Sequence, residues 1–328
     1  MRIFSGIQPT GRKHLGNYIG AIRGYLEGQE RGDPAIYCIV DLHATSVAYD
    51  ARALPDYVLD TAGMLMAAGL DPDRCILFRQ SDVKEHPELC WLLASVTPYG
   101  DLQRMTQFKD KADREKELVR TSLFLYPVLQ AADILLYKAD EVPVGEDQRQ
   151  HVELSREIAR RFNSTYGEVF VEPEAVVPAT GARIMDLQSP DTKMSTTGST
   201  EAGIVYIDED PGDIVKKVKR AQTDSGSEVV RGPGKAGISN LIEIYAVTRG
   251  VEPEAVEREF EGQGYGAFKQ SVGEAVAELL APVRERYREL RGDPGAIEAA
   301  LRQGADRARE IAVPTMAEVH SVMGLGPQ

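Results

Sequence analysis

Three stretches of the chain combine residue types and spacings that could do chemistry. The first, Gly6-Ile7-Gln8-Pro9-Thr10-Gly11-Arg12-Lys13-His14-Leu15-Gly16-Asn17, follows a short apolar segment and opens a helical pattern over residues 18–26. In an α/β protein that is where backbone N–H groups and a helix N-terminus cradle phosphate. Gly6 and Gly11 are spaced as in a Walker A loop, but Arg12-Lys13 replaces the Lys-Ser/Thr pair that such a loop requires, and the spacing is not G-x-G-x-x-G. A phosphate cradle and a glycine-rich turn without ligand both stay open. The second stretch, Lys193-Met194-Ser195-Thr196-Thr197, puts a cation on a polar loop over residues 188–200. In the third, residues 125–133, steps of four and three bring Tyr126, Gln130 and Asp133 to one helical face.

The surrounding pattern must position these groups. In the first half, short apolar runs alternate with longer helical patterns, the signal for parallel strands joined by crossover helices. Residues 35–40 are continuously apolar, as a central strand covered on both faces requires, and residues 75–79 repeat the theme. Between them, residues 55–68 carry Leu59, Ala62, Gly63 and Met66 at helical spacing, closed by Gly69. Residues 2–5, 141–144 and 183–187 are the other strand candidates; Pro143 restricts its segment to an edge or an end, because it cannot donate to a ladder. Gly145-Glu146-Asp147-Gln148 then lies at a strand's carboxyl end, where ligands of open α/β sheets collect. Capping of the helix that follows is compatible with the same residues.

Beyond residue 207 the pattern is helical only. Asp213 caps a helix through residue 222, Ser239 or Asn240 one through residue 247, and Asp293-Pro294 starts the last, after a long amphipathic stretch over 268–290. The fold class is therefore α/β: a Rossmann-like parallel-sheet domain followed by an all-helical one.

Composition sets the bounds. The 328 residues are 42% hydrophobic and 27% charged, as in ordinary globular proteins. Thirty-eight basic against 51 acidic side chains give a formal charge of −13, which excludes a general nucleic-acid coat but permits a local patch such as Lys216, Lys217, Lys219 and Arg220. Cys38, Cys75 and Cys90 form no paired zinc motif or disulfide framework and read as core thiols. His43, His86, His151 and His320 show no metal-ligand spacing, so no protein-held metal is expected. The acidic stretch 208–213 reads as a turn plus helix cap, and Trp91, in the apolar run 89–96, as core packing. No run reaches the roughly 18 apolar residues of a membrane span and no leader is evident, which points to the cytoplasm.

His14-Leu15-Gly16-Asn17 resembles the HIGH signature of class I aminoacyl-tRNA synthetases in the form the tryptophan enzymes often show. Residues 4–11, Asn17-Tyr18-Ile19-Gly20, Met105-Thr106-Gln107-Phe108-Lys109, residues 131–137, Val142-Pro143-Val144-Gly145-Glu146-Asp147-Gln148, Lys193-Met194-Ser195 and Gly237-Ile238-Ser239-Asn240 are similar to bacterial tryptophanyl-tRNA synthetases, in family order. The match spans essentially the whole chain.

The resemblance implies attack of a tryptophan carboxylate on the α-phosphate of Mg2+·ATP, giving tryptophanyl-adenylate and pyrophosphate, then transfer to tRNA(Trp). It implies a catalytic domain over residues 1–205, which includes a connective helical insertion and the Lys193 loop. A helical anticodon-binding domain over 206–328 has a last helix that packs back on the first. A homodimer is implied as well. His14, Asn17 and Lys193 become the catalytic donors and cation, suited to charge that develops on phosphate. Gln8, Pro9, Thr10, Gly16, Gly145, Glu146, Asp147, Ile184, Met194, Ser195, Thr196 and Thr197 become ATP contacts. Indole is a flat apolar plate with one N–H donor, so its pocket needs apolar walls and one buried acceptor. The resemblance makes Asp133 that acceptor, with Phe4, Gly6, Gln8, His43, Tyr126, Gln130, Val142, Val144 and Gln148 around the substrate.

Two departures matter. Thr196 stands where the KMSKS motif has its second lysine, so that Lys193 carries more of the load, Lys109, Lys111 or Arg183 compensates, or the reaction is slower. Gln130 stands where many relatives carry methionine. The rival expectations are a tyrosyl-tRNA synthetase, which shares the fold and a similar Gln-x-x-Asp helix, and a weakened paralogue that senses tryptophan.

Overall fold

The computed structural model describes residues 1–106, 120–177, 183–196 and 198–326. The expectations at Gln107, Phe108, Lys109, Lys111 and Thr197 lie outside them. Five strands, β1 (Ile3–Ile7), β2 (Ala35–Ile39), β3 (Ile76–Arg79), β4 (Glu141–Pro143) and β5 (Glu174–Val176), form one parallel sheet in the order β3-β2-β1-β4-β5. The chain builds outward from β1 to β3, then returns to the far side of β1. Strand order therefore reverses between β1 and β4, and a crevice opens at their carboxyl ends.

All five residues of β2 are buried, as its unbroken apolar run requires. Successive strand side chains point to opposite faces, so Ile3, Tyr37, Ile39 and Leu77 enter one core while Phe4, Ile36, Cys38 and Phe78 enter the other. Pro143 ends β4, and β5, which the sequence pattern does not announce, pairs beyond it.

The helices are α1 (Leu15–Asn17), continued through a π turn (Tyr18–Ile22) into α2 (Arg23–Glu30), then α3 (Asp41–Ala44), α4 (Leu54–Ala68), α5 (Glu85–Ala94), α6 (Tyr99–Gln103), α7 (Thr121–Leu135) and α8 (Arg149–Tyr166). Among the described residues after β5, the longer elements are all helices: α9 (Pro211–Lys219), α10 (Ala236–Arg249), α11 (Pro253–Glu259), α12 (Gly264–Gly292) and α13 (Pro294–Met323). The Asp293 carboxylate accepts the Ala296 N–H at the start of α13. α13 runs against edge strand β3, where Arg79 meets Glu298 at 2.5 Å and Arg307 donates to the carbonyls of Pro72 and Cys75. A helix thus covers an otherwise open sheet edge.

Four local expectations are corrected. Residues 183–187 are not a strand: Met185 makes one isolated bridge, to Lys193, and the Asn240 amide takes up both its N–H and its C=O. Asn240 and Ser239 are consequently interior to α10, which begins at Ala236. α9 starts at Pro211 behind Asp210, not at Asp213, because proline at the first position costs no hydrogen bond. Trp91 is 77% exposed. Leu89 and Leu93, four apart, take the buried stripe of α5, and Trp91 lies midway between them on the opposite side.

Candidate active site

At the carboxyl ends of β1 and β4 lies a cavity of about 390 Å³. Phe4, Gly6, Gln8, His43, Tyr126, Gln130, Asp133, Val142, Val144 and Gln148 line it, with Gly145 and Asp147 at the mouth. All ten residues expected around the amino acid thus converge here, although they come from β1, α3, α7, β4 and the turn after it. Its size suits a small ligand, and it combines apolar walls, among them Phe4, Val40, Val142 and Val144, with polar side chains that can orient one.

Asp133 forms the polar floor. Its Oδ1 accepts from Gln80 Nε2 at 2.6 Å and His86 Nδ1 at 2.7 Å, and its Oδ2 accepts from His43 Nε2 at 2.8 Å. Burial raises the carboxyl's pKa, but the hydrogen bonds and charge of His43 and His86 outweigh it and hold the group at about 2. The acid is therefore ionised and acts only as an acceptor. His43, expected as a wall, is also one of its donors. On the same helix, the Tyr126 hydroxyl meets His151 Nε2 at 2.9 Å, and burial keeps it protonated. Phe4 stacks on Tyr137 behind the cavity, with centroids 5.6 Å apart.

The opening loop is braced from within. Lys13 Nζ donates to the carbonyls of Gln8 at 2.9 Å and Thr10 at 3.4 Å, and burial pushes its pKa down to about 8, with Asp60 opposing. The backbone N–H of His14 donates to Asn17 Oδ1 at 3.0 Å, which fixes the first turn of the helix. Burial, then Lys13 and Lys193, pushes the His14 imidazole down to about 4. It is neutral, and its buried Nδ1 has no hydrogen-bond partner among the described residues. The ring lies over Gly16, where an added Cβ would press on it from 3.1 Å.

Lys193 rides on a turn anchored at its base. The Asp186 N–H donates to Thr192 O, Met194 N–H donates to Ile184 O, and Asp186 Oδ1 accepts the N–H groups of Gln188 and Ser189. Gly203 leaves room for the Asp186 carboxylate, which a Cβ would strike. Likewise Gly237 lets α10 touch the Gln222 carbonyl, and one turn later Asn240 grips Met185. Pro9, Thr10, Gly16, Asn17, Glu146, Ile184, Lys193, Met194, Ser195 and Thr196 do not line the cavity. The Ile184 and Met194 side chains are buried in the core, and Glu146 pairs with Arg149 at 2.8 Å. Thr196 is exposed and lies 3.9 Å from where a Gly11 Cβ would stand, so the two loops meet.

Gln80, His86 and Tyr137 are missing from the sequence-based map. Gln80 and His86 stand 53 and 47 residues before Asp133 and reach it from the far end of β3 and from α5. No periodicity relates them to α7.

Residues 1–281 match the family model described as tRNA synthetases class I (W and Y). Curated relatives include tryptophan–tRNA ligase 1 of Streptomyces coelicolor and the tryptophan–tRNA ligase of Wolinella succinogenes, each 48% identical, with 99% of this chain and 98% of the relative covered. Similar solved structures include tryptophanyl-tRNA synthetase from Mycoplasma pneumoniae, with a TM-score of 0.88 and 33% identity over 99% of this chain and 98% of that one. Another, from Campylobacter jejuni, was solved in complex with ADP and tryptophan; it has a TM-score of 0.84 and 34% identity over 99% of this chain and all of its own. The chain belongs to the bacterial tryptophanyl-tRNA synthetases, within the class I family of tryptophan and tyrosine tRNA synthetases.

Proposed function

We propose that the cleft activates L-tryptophan with Mg2+·ATP, releasing pyrophosphate, and that the adenylate then charges tRNA(Trp). The observation that carries this reading is one buried, ionised acceptor, Asp133, at the floor of a cavity at the switch point of the sheet whose apolar walls include Phe4, Val40, Val142 and Val144. Indole offers one N–H donor and no acceptor, which is the complement of that floor. The tryptophan bound to the Campylobacter jejuni relative supports it.

In this reading Gln8, Tyr126, Gln130 and Gln148 orient the amino acid while Phe4, Gly6, His43, Val142 and Val144 enclose it. His14 and Asn17 donate to the phosphates, Gly16 lets backbone approach, and Lys193 follows the departing pyrophosphate. Pro9, Thr10, Gly145, Glu146, Asp147, Ile184, Met194, Ser195 and Thr196 frame the nucleotide. Mg2+ arrives as part of the substrate. Pyrophosphate exchange driven by each amino acid in turn tests this: exchange with tryptophan alone is expected, and a preference for tyrosine would overturn it.

The helical half is the tRNA-binding part. Lys216, Lys219 and Arg220 border an open surface hollow and support a phosphate contact, whereas Lys217 is committed to Glu209 at 2.6 Å. Reversing the charge of Lys216 and Lys219 should weaken tRNA binding and flatten its salt dependence. The working unit is a homodimer, for which the exposed Trp91 and Tyr99 are suitable contact residues. Sedimentation of Trp91→Glu as monomer would support that surface. No helix among the described residues is long and apolar enough to cross a membrane.

A further inference from the structure

A carboxylate accepts at about two sites on each oxygen. Both sites on Asp133 Oδ1 are filled, by Gln80 and His86, while Oδ2 has one donor among the described residues, His43, which lines the cavity together with Asp133. Neither Gln80 nor His86 lines the cavity, and both are fully buried. Gln80 cannot present its oxygen instead, because Oε1 accepts the Leu42 N–H at 3.1 Å. That bond also holds α3, which carries His43. His86 must donate through Nδ1, since a carboxylate offers only lone pairs. Its Nε2 lies 2.8 Å from the hydroxyl of buried Tyr137, which holds the far side of the ring.

We propose that Gln80 and His86, with Tyr137 behind His86, are positioning residues for amino-acid choice. By occupying Oδ1 they fix the carboxylate's rotation, so that one acceptor site on Oδ2 points at the indole N–H. This rests on Asp133 being the indole partner.

The test compares pyrophosphate exchange with tryptophan and with benzothienylalanine, which has sulfur where indole has N–H. Gln80→Met and His86→Leu should each lower the tryptophan preference about ten- to a hundred-fold, the worth of a hydrogen bond to a charged group, with the KM for ATP unmoved. His86→Asn, which keeps a donor near the Nδ1 position, should recover most of the preference. A merely structural role would instead depress both substrates and ATP binding together, and that result overturns the proposal. If His86→Leu does not fold, Gln80→Met and His86→Asn carry the test. Asp133→Asn separates the two levels. An unchanged preference in that variant removes Asp133 as the indole partner. A lost preference there, with Gln80→Met and His86→Leu behaving as wild type, overturns the positioning role alone.

Discussion

The two ends of the cleft are built on opposite principles. At the proposed amino-acid end, Asp133 sits 1% exposed under three side-chain donors, all of them reaching it from sequence-distant segments. At the proposed phosphate end, Lys193 and Thr196 are exposed on a turn whose base is held by Asp186 and Asn240. Selection depends on a difference between similar ligands, so it needs an acceptor that cannot rotate to suit a wrong one. Stabilisation of a leaving pyrophosphate needs a cation that can follow moving charge, and a fixed, desolvated lysine would serve it poorly. The contrast therefore separates what must be rigid from what must travel.

The most damaging test of that contrast is Asp133→Asn. With Gln80 and His86 still donating, the amide oxygen takes the Oδ1 position and the NH2 group takes that of Oδ2, so a donor faces the indole N–H. The ratio of kcat/KM for tryptophan over other amino acids should fall by about a hundred-fold or more, a cost of roughly 3 kcal/mol. An unchanged ratio would show that rigidity at this end does not set selection. At the other end, Lys193→Ala should lower the exchange rate by about a hundred-fold while tryptophan binding, followed by its dissociation constant, stays near wild type. Equal loss in both would mean that the ends are not separable.

His14 sharpens the boundary between them. Replacing it with alanine should slow adenylate formation by about ten-fold with little change in the KM for ATP. Because its imidazole is held at about 4, the wild-type rate should show no His14 inflection near the ordinary histidine value of 6.5. The sign for stability follows: between 6.5 and about 4 the unfolded chain binds a proton that folded His14 refuses, so this residue subtracts stability as pH falls through that window. A denaturation series in wild type and His14→Ala measures it, and identical pH slopes would contradict the burial of a neutral ring.

Much of the fold and of the amino-acid site is legible in the sequence. The apolar run at residues 35–40, the turn residues after β4 and the spacing of Tyr126, Gln130 and Asp133 each follow from local pattern, and local pattern is what strands, caps and helix faces obey. The motif resemblance supplies Phe4, Gly6, Gln8, His43, Val142, Val144 and Gln148 of its lining, but not Ser5, Gly24, Tyr25 or Val40, which line it too. What escapes has physical reasons. Gln80 and His86 act through tertiary contact with no periodic relation to α7. Residues 183–187 look like a strand by their residue types, yet a side-chain amide takes the Met185 N–H and C=O that a neighbouring strand would have paired. Trp91 lies in an apolar run, but α5 buries only one stripe of it. Asn240, whose type and place suggest a cap, proves to be the clasp under Lys193.

The smallest expected effect, and the finest test of the proposed phosphate end, is Thr196→Lys. Thr196 stands at the seam with Gly11 and is exposed, so a longer cationic side chain there would reach toward the phosphates without displacing packed neighbours. Its charge would stay largely in water, and such pairings are worth about 0.2–1 kcal/mol. The exchange rate should therefore rise by no more than about five-fold, and the gain should shrink as salt is added. A rise well beyond that, insensitive to salt, would mean that Lys at this position is desolvated and held. The phosphate end would then be as preorganised as the floor around Asp133, and the division between a fixed selector and a travelling cation would fail.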